Sequence, residues 1–564
     1  MDQAQKLILD YINIWSTSES EKKFGVGRSS ANARKIYGIE KLRELILSLA
    51  IHGKLVPQDS NEESAEELFK RIKLEQINFL TKKKKKPLQS VIKQQNPFIL
   101  PNGWLWVSNH ELFQLRKGKI PKNFNENGKG LPYLDIEALD RNTIRRYSVD
   151  TNCLTSKETD ILVVCDGSRS GLILKGKYGI VGSTLSIIDT PIFIQPFINL
   201  IFKQGYENFN TSMKGAAIPH LDIQKLLQSV TGLPPLSEQH RIISKVDELM
   251  MLCDLLEQQH VNSNEFHKKL VKILLNTLTQ SKDAEEFKDS WLRITNYFDT
   301  LFTTQESIEE LKKTILHVAV MGRLTTQDPN DEPASELLKK IQAEKAKLIN
   351  EGKIKKEKIL PPMLKEKNTS HLPNGWTLVR LNDIGNTFIG LTYSPKDISH
   401  KGTPVLRSSN IQKGKLDLND LVRVDKLIKD NLHVESGDLL ICARNGSKSL
   451  VGKTAMIKDL LEPMTFGAFM AIYKSKLNNY IEIFLNSPLF RNTLEGVETT
   501  TINQITQNNL KTTLLPLPPI NEQERISNKV KELIFLCDEL KSRIHQACEK
   551  QKLISDVLVF KVLN

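Results

Sequence analysis

Residues 442–454, CARNGSKSLVGKT, contain the Gly, Lys and Thr with which a phosphate-binding loop holds a nucleotide. Such a loop places four residues between its first glycine and the Gly-Lys pair, because that length wraps backbone N–H groups around a β-phosphate. Here five residues separate Gly446 from Gly452. The apolar, β-branched sequence that follows predicts a strand, so the site lacks the helix N-terminus whose dipole attracts phosphate. A nucleotide hydrolase that uses residues 446–454 is therefore the least favoured function.

Other catalytic and metal-binding patterns are absent from the sequence. The 6 cysteines are scattered without a CxxC pair and the 11 histidines are dispersed, so the sequence favours neither a zinc ribbon nor a disulfide framework. The nearest match to the Asn/Asp-Pro-Pro-Tyr/Phe motif, residues 96–98, lacks the second proline. Neither a DExH-like box nor a GxSxG motif occurs. We expect no catalytic residue, no metal ligand and no cofactor bound by this chain.

The 564-residue chain is basic, with 79 Lys and Arg against 66 Asp and Glu, a net charge of +13 and a pI of about 9.1. This balance favours a polyanionic partner, and nucleic acid before a membrane. The N-terminus lacks a basic start followed by an apolar core, and no window approaches the 18 apolar residues of a membrane span. We expect a cytoplasmic protein of three or four domains, about 100–200 residues each, that binds no membrane.

The chain repeats itself with a period too long for a solenoid, which indicates duplicated domains. Three pairs of segments occur in the same order, at residues 42–72 and 311–341, 100–104 and 372–376 (both LPNGW), and 233–256 and 517–540. The last pair, LPPLSEQHRIISKVDELMMLCDLL and LPPINEQERISNKVKELIFLCDEL, is identical at 15 of its 24 positions. The segments between these markers, 104–233 and 376–517, differ. The pattern predicts two unlike domains held by like connectors.

The segment after each LPP predicts a long helix. Its apolar residues alternate at spacings of four and three, which is typical of a coiled-coil seam. They are Ile242, Val246, Leu249, Cys253 and Leu256 in the first copy and Ile526, Val530, Leu533, Cys537, Leu540 and Ile544 in the second. Ser237 and Asn521 are candidate N-caps, and each helix of about 40 residues would be roughly 60 Å long. Cys253 and Cys537 are expected to be buried seam residues rather than redox groups.

Residues 42–72 and 311–341 predict two further helices in each half. A short apolar helix ends at Gly53 or Gly322, and a charged helix follows at residues 65 to about 82 or 334 to about 350. Residues 237 to about 350 thus hold a long, a short and a charged helix, whereas at the chain ends the same set is divided. If the sets are built alike, the N-terminal helices pair with the C-terminal helix. The predicted fold class is α+β, with two α/β domains separated by long antiparallel, coiled-coil helical connectors in pseudo-two-fold, circular symmetry.

The two variable segments share a skeleton of strands and loops. In both, an apolar strand pattern ends in a small, polar, basic loop, as ILVVC before DGSRSG and DLLICA before RNGSKS. GLPYLDIEAL from Gly130 and GTPVLRSSNI from Gly402 also correspond. Each segment is predicted to be a compact α/β domain.

The order of these parts resembles the DNA specificity subunit of type I restriction-modification enzymes. The resemblance rests on the LPPLSEQ and LPPINEQ helices, the paired GKLVPQD and GRLTTQD helices and the doubled LPNGW, and it extends from about residue 37 to the end. It implies six segments, namely an N-terminal extension (1–36), N-terminal helices that pair with the C-terminal helix (37–99), target recognition domain 1 (100–236), a central helical connector (237–371), target recognition domain 2 (372–519) and a C-terminal long helix (520–564).

The resemblance further implies a non-catalytic subunit whose two domains each recognise one half of a bipartite, asymmetric site in double-stranded DNA. The helices would dock two adenine methyltransferase subunits, to which two ATP-dependent restriction subunits are added. S-adenosylmethionine, ATP and Mg²⁺ would be used by those partners and not by this chain. Two alternatives stay open, a stand-alone duplicated DNA-binding or scaffold protein without a methyltransferase partner, and the nucleotide hydrolase considered above.

Candidate DNA-contacting residues lie in loops beside the predicted strands, where Lys and Arg suit phosphates and Arg, Asn and Ser suit base edges. They are Ser168, Arg169 and Lys175 in the first domain and Arg407, Ser409, Asn410, Arg444, Asn445, Ser447 and Lys448 in the second. For each, a solvated surface loop is the alternative. The lysine runs at 82–86 and 353–358 predict either charged linkers or phosphate steering. Trp104 and Trp376 are predicted to be core anchors rather than base-stacking residues.

Overall fold

The computed structural model describes residues 6, 9–17, 36–83, 97–211, 220–351, 372–494 and 503–563. The chain forms two compact units: unit 1 comprises residues 1–264 and 547–564, and unit 2 comprises residues 265–546. Each unit contains one α/β domain and a set of helices, and the two unit boundaries fall inside the two long helices.

Helices and strands are numbered here in chain order. The helices of the described residues are α1 (Ile12–Thr17), α2 (Tyr37–Ile51), α3 (Ala65–Lys83), α4 (Asn109–Leu112), α5 (Ile136–Asp140), α6 (Gln195–Thr211), α7 (Ile223–Gln228), α8 (Leu236–Gln280), α9 (Ala284–Asn296), α10 (Phe298–Leu301), α11 (Gln305–Val320), α12 (Ala334–Asn350), α13 (Leu381–Ile384), α14 (Asn478–Asn486), α15 (Pro488–Thr493), α16 (Gln507–Thr512) and α17 (Ile520–Leu563).

The strands of unit 1 are β1 (Leu105–Ser108), β2 (Gln114–Lys117), β3 (Leu131–Leu134), β4 (Tyr147–Ser148), β5 (Thr155–Ser156), β6 (Ile161–Val164), β7 (Ile173–Lys175), β8 (Gly179–Val181), β9 (Leu185–Asp189) and β10 (Val230–Leu233). Those of unit 2 are β11 (Thr377–Arg380), β12 (Asn386–Ile389), β13 (Ile398–Leu406), β14 (Ile411–Gln412), β15 (Lys415–Leu416), β16 (Val422–Val424), β17 (Leu439–Cys442), β18 (Arg444–Asn445), β19 (Thr454–Met456), β20 (Thr465–Phe466), β21 (Met470–Lys474), β22 (Asn503–Gln504) and β23 (Leu514–Leu517).

The long helices α8 and α17 have 45 and 44 residues, close to the predicted length. The seam prediction is confirmed, because Ile242, Cys253 and Ile526 are almost fully buried. The predicted N-caps are wrong by two positions, because the residue before each helix is Pro235 or Pro519. Each helix begins directly after the double proline, at Leu236 or Ile520, so Ser237 and Asn521 lie inside the first turn.

In unit 1 the N-terminal helix α2 packs against the C-terminal end of α17. Leu558 shares one hydrophobic core with Ile39 and Leu42, and Tyr37 Oη donates to Asp556 Oδ1 at 2.7 Å. This contact between the two ends of the chain is the one that the circular arrangement of helices requires.

In unit 2 the helix α11 occupies the corresponding place. It contacts the C-terminal half of α8 through an ion pair between Lys268 and Glu306 at 2.5 Å, and the middle of α17 through an ion pair between Lys541 and Glu309 at 2.6 Å. The sequence predicted α11 directly after α8, but α9 and α10 lie between them. Asp283 caps α9 by accepting from Glu286 N, and Ile294 and Leu301 are buried in the core of unit 2.

Each α/β domain begins and ends in one antiparallel pair of strands. β1 pairs with β10 in the first domain and β11 pairs with β23 in the second. Each domain also contains a four-stranded antiparallel sheet, of order β2-β9-β6-β7 or β12-β21-β17-β19. Because the chain enters and leaves at a single strand pair, the rest of the domain can vary without changing the connectors.

A hydrogen-bond cluster fixes each strand pair to its long helix. Trp104 Nε1 donates to Glu238 Oε2 at 3.0 Å, and Gln58 Nε2 donates to Glu238 Oε1 at 3.2 Å and to Gly53 O at 2.8 Å. Unit 2 has the same contacts, from Trp376 to Glu522 (2.8 Å) and from Gln327 to Glu522 (3.0 Å) and Gly322 O (2.8 Å). Both tryptophans are therefore core anchors, as predicted.

Candidate nucleic-acid interface

The loop that follows β6 presents two of the three candidates of the first domain. Ser168 is exposed, and Arg169 donates from Nη1 to Asp140 Oδ2 at 2.9 Å, which joins the loop to the end of α5. Lys175 is exposed too, but it pairs with Ile161 at the beginning of β6, away from the loop. The structure thus brings Ser168 and Arg169 together and leaves Lys175 apart.

The loop that follows β17 presents four candidates of the second domain. Arg444 and Asn445 form β18, whereas Ser447 and Lys448 are exposed at its tip. Asn445 Nδ2 donates to Ser408 Oγ at 3.2 Å, so this loop lies beside the turn that carries the exposed Ser409. The two candidate loops of the second domain therefore form one surface.

Arg407 and Asn410 hold this turn in place. Asn410 is only 1% exposed, and its amide accepts from Arg407 N and donates to the carbonyl oxygens of Asp417 and Asp420. The donors and the acceptor of the Asn410 amide are therefore all used inside the loop, where they fix the turn. Arg407 is half-buried and donates to Asp420 Oδ2 at 3.0 Å.

Both domains contain the same strand-end junction, at which a later segment joins the end of β6 or β17. Leu221 N donates to Cys165 O and Ile505 N donates to Ala443 O, both at 2.8 Å. The next side chains differ, with Asp166 facing His220 in the first domain and Arg444 paired with Gln504 in the second. The candidate residues omitted His220 and Gln504, although the LPP offset of 284 residues aligns their segments, IPHLD and INQIT.

An ion-pair cluster occupies the junction of the first domain. Asp166 accepts from Lys117 Nζ at 2.9 Å and from His220 Nδ1 at 2.7 Å. Burial alone would raise the pKa of Asp166, but these two hydrogen bonds and the charge of Lys117 lower it below its ordinary value. The carboxylate is therefore ionised at neutral pH and holds both side chains at the surface, where each is about half-exposed.

The geometry offers no phosphate cradle at residues 446–454. Lys448–Leu450 form a 3-10 turn, β19 follows as a strand, and Thr454 is 1% exposed with its hydroxyl donating to Gly452 O. The prediction of a strand in place of a helix is confirmed.

The described residues also provide no reactive thiol or metal site at these loops. Burial raises the pKa of the Cys165 and Cys442 thiols, which disfavours the nucleophilic thiolate. Among the described residues, no group of three His, Cys, Asp or Glu side chains is arranged to hold a metal ion. None of the described helices is long and apolar enough to span a membrane. Of the lysine runs, 84–86 and 353–358 lie outside the described residues.

Comparisons with known proteins point to one family. The family model described as "Type I restriction modification DNA specificity domain" matches residues 101–263 and 373–550. The chain is 36% identical to the type I restriction enzyme EcoAI specificity subunit of Escherichia coli, over 99% of this chain and 100% of that relative. It is 35% identical to the EcoEI specificity subunit of the same species, with the same coverage. The HsdS subunit crystal structure from Thermoanaerobacter tengcongensis aligns with 83% of this chain and 98% of its own, at 17% identity and a TM-score of 0.39.

Proposed function

This chain belongs to the family of type I restriction-modification DNA specificity subunits, and on that premise we propose how its parts recognise a split DNA site. The chain is a non-catalytic DNA-recognition subunit, and the catalytic activities of the enzyme lie in partner subunits. It is a member of a family that assembles with methyltransferase and restriction subunits.

Residues 100–236 and 372–519 are proposed to be the two target recognition domains, each of which recognises one half of a bipartite, asymmetric site. One observation carries this assignment. The two domains share a sheet order and a Trp–Glu–Gln anchor, but differ in the side chains at the loops after β6 and β17. A common framework with unlike exposed side chains suits the recognition of two different base sequences.

Joining the two domains in one chain raises the affinity for a site that contains both halves. A single half-site offers few contacts, but once one domain is bound the second binds intramolecularly at a high effective concentration. The net charge of +13 supplies the sequence-independent attraction to DNA phosphates.

The helices are proposed to dock two adenine methyltransferase subunits. Met251 and Leu252 on α8 occupy the positions of Phe535 and Leu536 on α17, and all four side chains are at least 46% exposed. Contiguous exposed apolar side chains on a helix suit an interaction surface. Because the same pair recurs once in each unit, two copies of one partner fit the chain, and two ATP-dependent restriction subunits are added to them. S-adenosylmethionine, ATP and Mg²⁺ would be bound by these partners.

The exposure of the loop side chains supports a narrower set of proposed DNA contacts. Direct contact is proposed for the residues that the loops present, which are Ser168, Arg169, Ser409, Arg444, Asn445, Ser447 and Lys448. Lys175 is proposed to contact phosphate at a separate point, and Arg407 and Asn410 to shape the turn beside β18.

An exchange of domains tests this function. The full chain is produced with its methyltransferase partner, residues 104–233 are replaced by the corresponding segment of another specificity subunit, and methylated adenines are mapped by sequencing. We expect one half of the recognised site to change and the other half to stay. The matched exchange of residues 376–517 should change only the other half. If both halves change in either exchange, or neither does, the modular assignment is wrong.

A further inference from the structure

Resting on this proposed function, we propose that the strand-end junction of each domain is an equivalent base-recognition position, at which His220 contacts a base amino group and Arg444 contacts guanine. His220 and Lys117, which both contact Asp166, lie outside the candidate loops. The two four-stranded sheets have the same order of strand pairing.

Strand pairing makes Asp166 and Arg444 structurally equivalent. β6 and β7 occupy the same places in the first sheet as β17 and β19 in the second. Ile161, the first residue of β6, pairs with Lys175, and Leu439, the first residue of β17, pairs with Met456. Val164 therefore corresponds to Cys442. Two residues further along, Asp166 forms a bridge with His220 and Arg444 pairs with Gln504. In the same alignment Lys117 corresponds to Ile389, because Lys117 pairs with Ser186 and Ile389 pairs with the equivalent residue Ala471. Each domain therefore presents three side chains at one corresponding place.

A purely structural role for the ion pairs of Asp166 does not account for this arrangement. The backbone of the junction is closed in both domains by the same 2.8 Å hydrogen bond, from Leu221 N or Ile505 N. In the second domain Arg444 stands where Asp166 would be, and the junction has the same form. The side chains at this place are thus free to differ, which is the property of a specificity-determining position.

The chemistry of the first junction fits a base that presents an amino group. An ionised Asp166 only accepts hydrogen bonds, so the Nδ1 of His220 must be the donor in their 2.7 Å contact. In the neutral ring the Nε2 atom is then an acceptor, on a side chain that is 51% exposed. In the major groove, amino donors are presented by adenine N6 and cytosine N4. Asp166 is a positioning residue in this scheme, because it fixes the tautomer and orientation of His220.

The chemistry of the second junction fits guanine. The guanidinium of Arg444 lies over the ring of Phe469, with 5.1 Å between Cζ and the ring centroid, and Phe469 is 58% exposed. This cation–π contact restrains the guanidinium at the surface, and an arginine fork is suited to the bidentate contact with guanine O6 and N7. The neighbouring Gln504 is exposed and has the amide that suits adenine N6 and N7 at an adjoining base pair.

The test uses the full chain with its methyltransferase partner and a library of duplexes randomised in both half-sites, with methylation scored base by base. Arg444→Lys keeps the charge but removes the bidentate fork, so guanine preference at one position of one half-site should fall about 5- to 150-fold. A mere phosphate contact would be rescued by lysine. His220→Ala should relax one position of the other half-site, and Asp166→Asn should relax that same position without adding to the His220→Ala effect. Lys175→Ala is the control and should change no base preference.

Exchanging the side chains of one junction for those of the other tests the assignment further. The triple change Lys117→Ile, Asp166→Arg and His220→Gln gives the first junction the side chains of the second, and should move its base preference towards guanine.

If the wild-type complex methylates a split site and every variant keeps all base preferences, the junction assignment is wrong and the proposed function stands. If a variant relaxes both half-sites, the assignment is also wrong. If the wild-type complex methylates no split site, the proposed function itself fails. Thermal unfolding and co-purification of the methyltransferase identify any variant that is misfolded, in which case Arg444→Gln and His220→Gln replace it.

Discussion

Trp104 donates its indole N–H to the carboxylate of Glu238, 134 positions later in the chain, at 3.0 Å. Glu238 is 1% exposed and also accepts from Gln58, whose amide holds the carbonyl of Gly53. Three sequence motifs that are far apart, GKLVPQD, LPNGW and LPPLSEQ, therefore meet at one carboxylate. Each recognition domain is thus fixed to its helices by the motifs that the two halves share.

Removing the indole donor should destabilise the chain. Trp104→Phe leaves an oxygen of the buried Glu238 without its partner, at a cost of about 1–3 kcal/mol. At roughly 2–4 °C per kcal/mol for a unit of this size, Tm should fall by several degrees. Trp106→Phe is the matched control, because that side chain is half-buried and packs on Phe98 with ring centroids 4.8 Å apart. Equal losses for the two variants would contradict a special role of the Trp104 contact.

Glu238 should also give a pH dependence of stability. Burial raises the pKa of its carboxyl above the ordinary value of 4.5, although hydrogen bonds from Gln58 and Trp104 oppose the shift. The folded state then binds the proton more tightly than the unfolded state, so this contribution to stability is full below pH 4.5 and is lost as the pH rises through the folded pKa. Glu238→Gln mimics the protonated acid and should remove the loss.

Thermal unfolding of both proteins from about pH 4 to pH 8 checks this expectation. The Tm of Glu238→Gln relative to the wild type should increase across the window and then become constant. Glu248→Gln, on the same helix with an exposed side chain, controls for the change in net charge. A Tm difference between Glu238→Gln and the wild type that does not vary with pH would contradict the raised pKa.

The sequence predicted the connectors well because their signals are local. The seam of α8 and α17, the glycine at the end of α2 and the duplicated motifs are all readable within a few turns of helix. The helix α9 was missed because it lies between the repeated markers. The junction was missed for another reason, since Asp166 and His220 are 54 positions apart and meet only through tertiary hydrogen bonds. Asn410 was a candidate surface residue but is buried in its loop. The sequence does not distinguish the two cases, because a polar turn residue has the same pattern whether it faces solvent or the loop interior.

Gly322 should not tolerate a side chain. Its φ is +69°, and a methyl group there would lie 2.4 Å from Pro373 Cγ and 2.9 Å from Trp376 Cζ2. The left-handed backbone and the overlap together should cost about 2–5 kcal/mol in Gly322→Ala. Gly446→Ala is the control, since a methyl group at that position would meet no atom within 4 Å. We expect a lower Tm for the first variant only, and comparable Tm values would argue against the tight packing of Gly322 on the LPNGW turn.

Lys453→Ala should leave nucleotide binding unchanged. The backbone around Lys453 continues into β19, and Lys453 O accepts from Cys442 N at 2.8 Å, so its amides do not encircle a phosphate. Titration of the wild-type chain and the variant with a fluorescent ATP analogue should give the same weak or absent signal. Saturable binding that disappears in Lys453→Ala would revive the nucleotide hydrolase.

The exposed apolar pair on each long helix should be required for the binding of one of the two methyltransferase copies. Phe535 and Leu536 are 62% and 50% exposed, and a few central residues of an interface commonly carry most of its binding energy, at about 2 kcal/mol or more each. The double change Phe535→Ser and Leu536→Ser should therefore reduce the bound methyltransferase from two copies to one, measured by native mass spectrometry. Met251→Ser with Leu252→Ser should remove the other copy, and the four changes together should remove both. Leu553→Ser, at a side chain that is 64% exposed on the same helix as Phe535, should keep two copies. Two copies on either double variant would place the docking surface elsewhere, because the equivalence of the two pairs requires that each holds one partner.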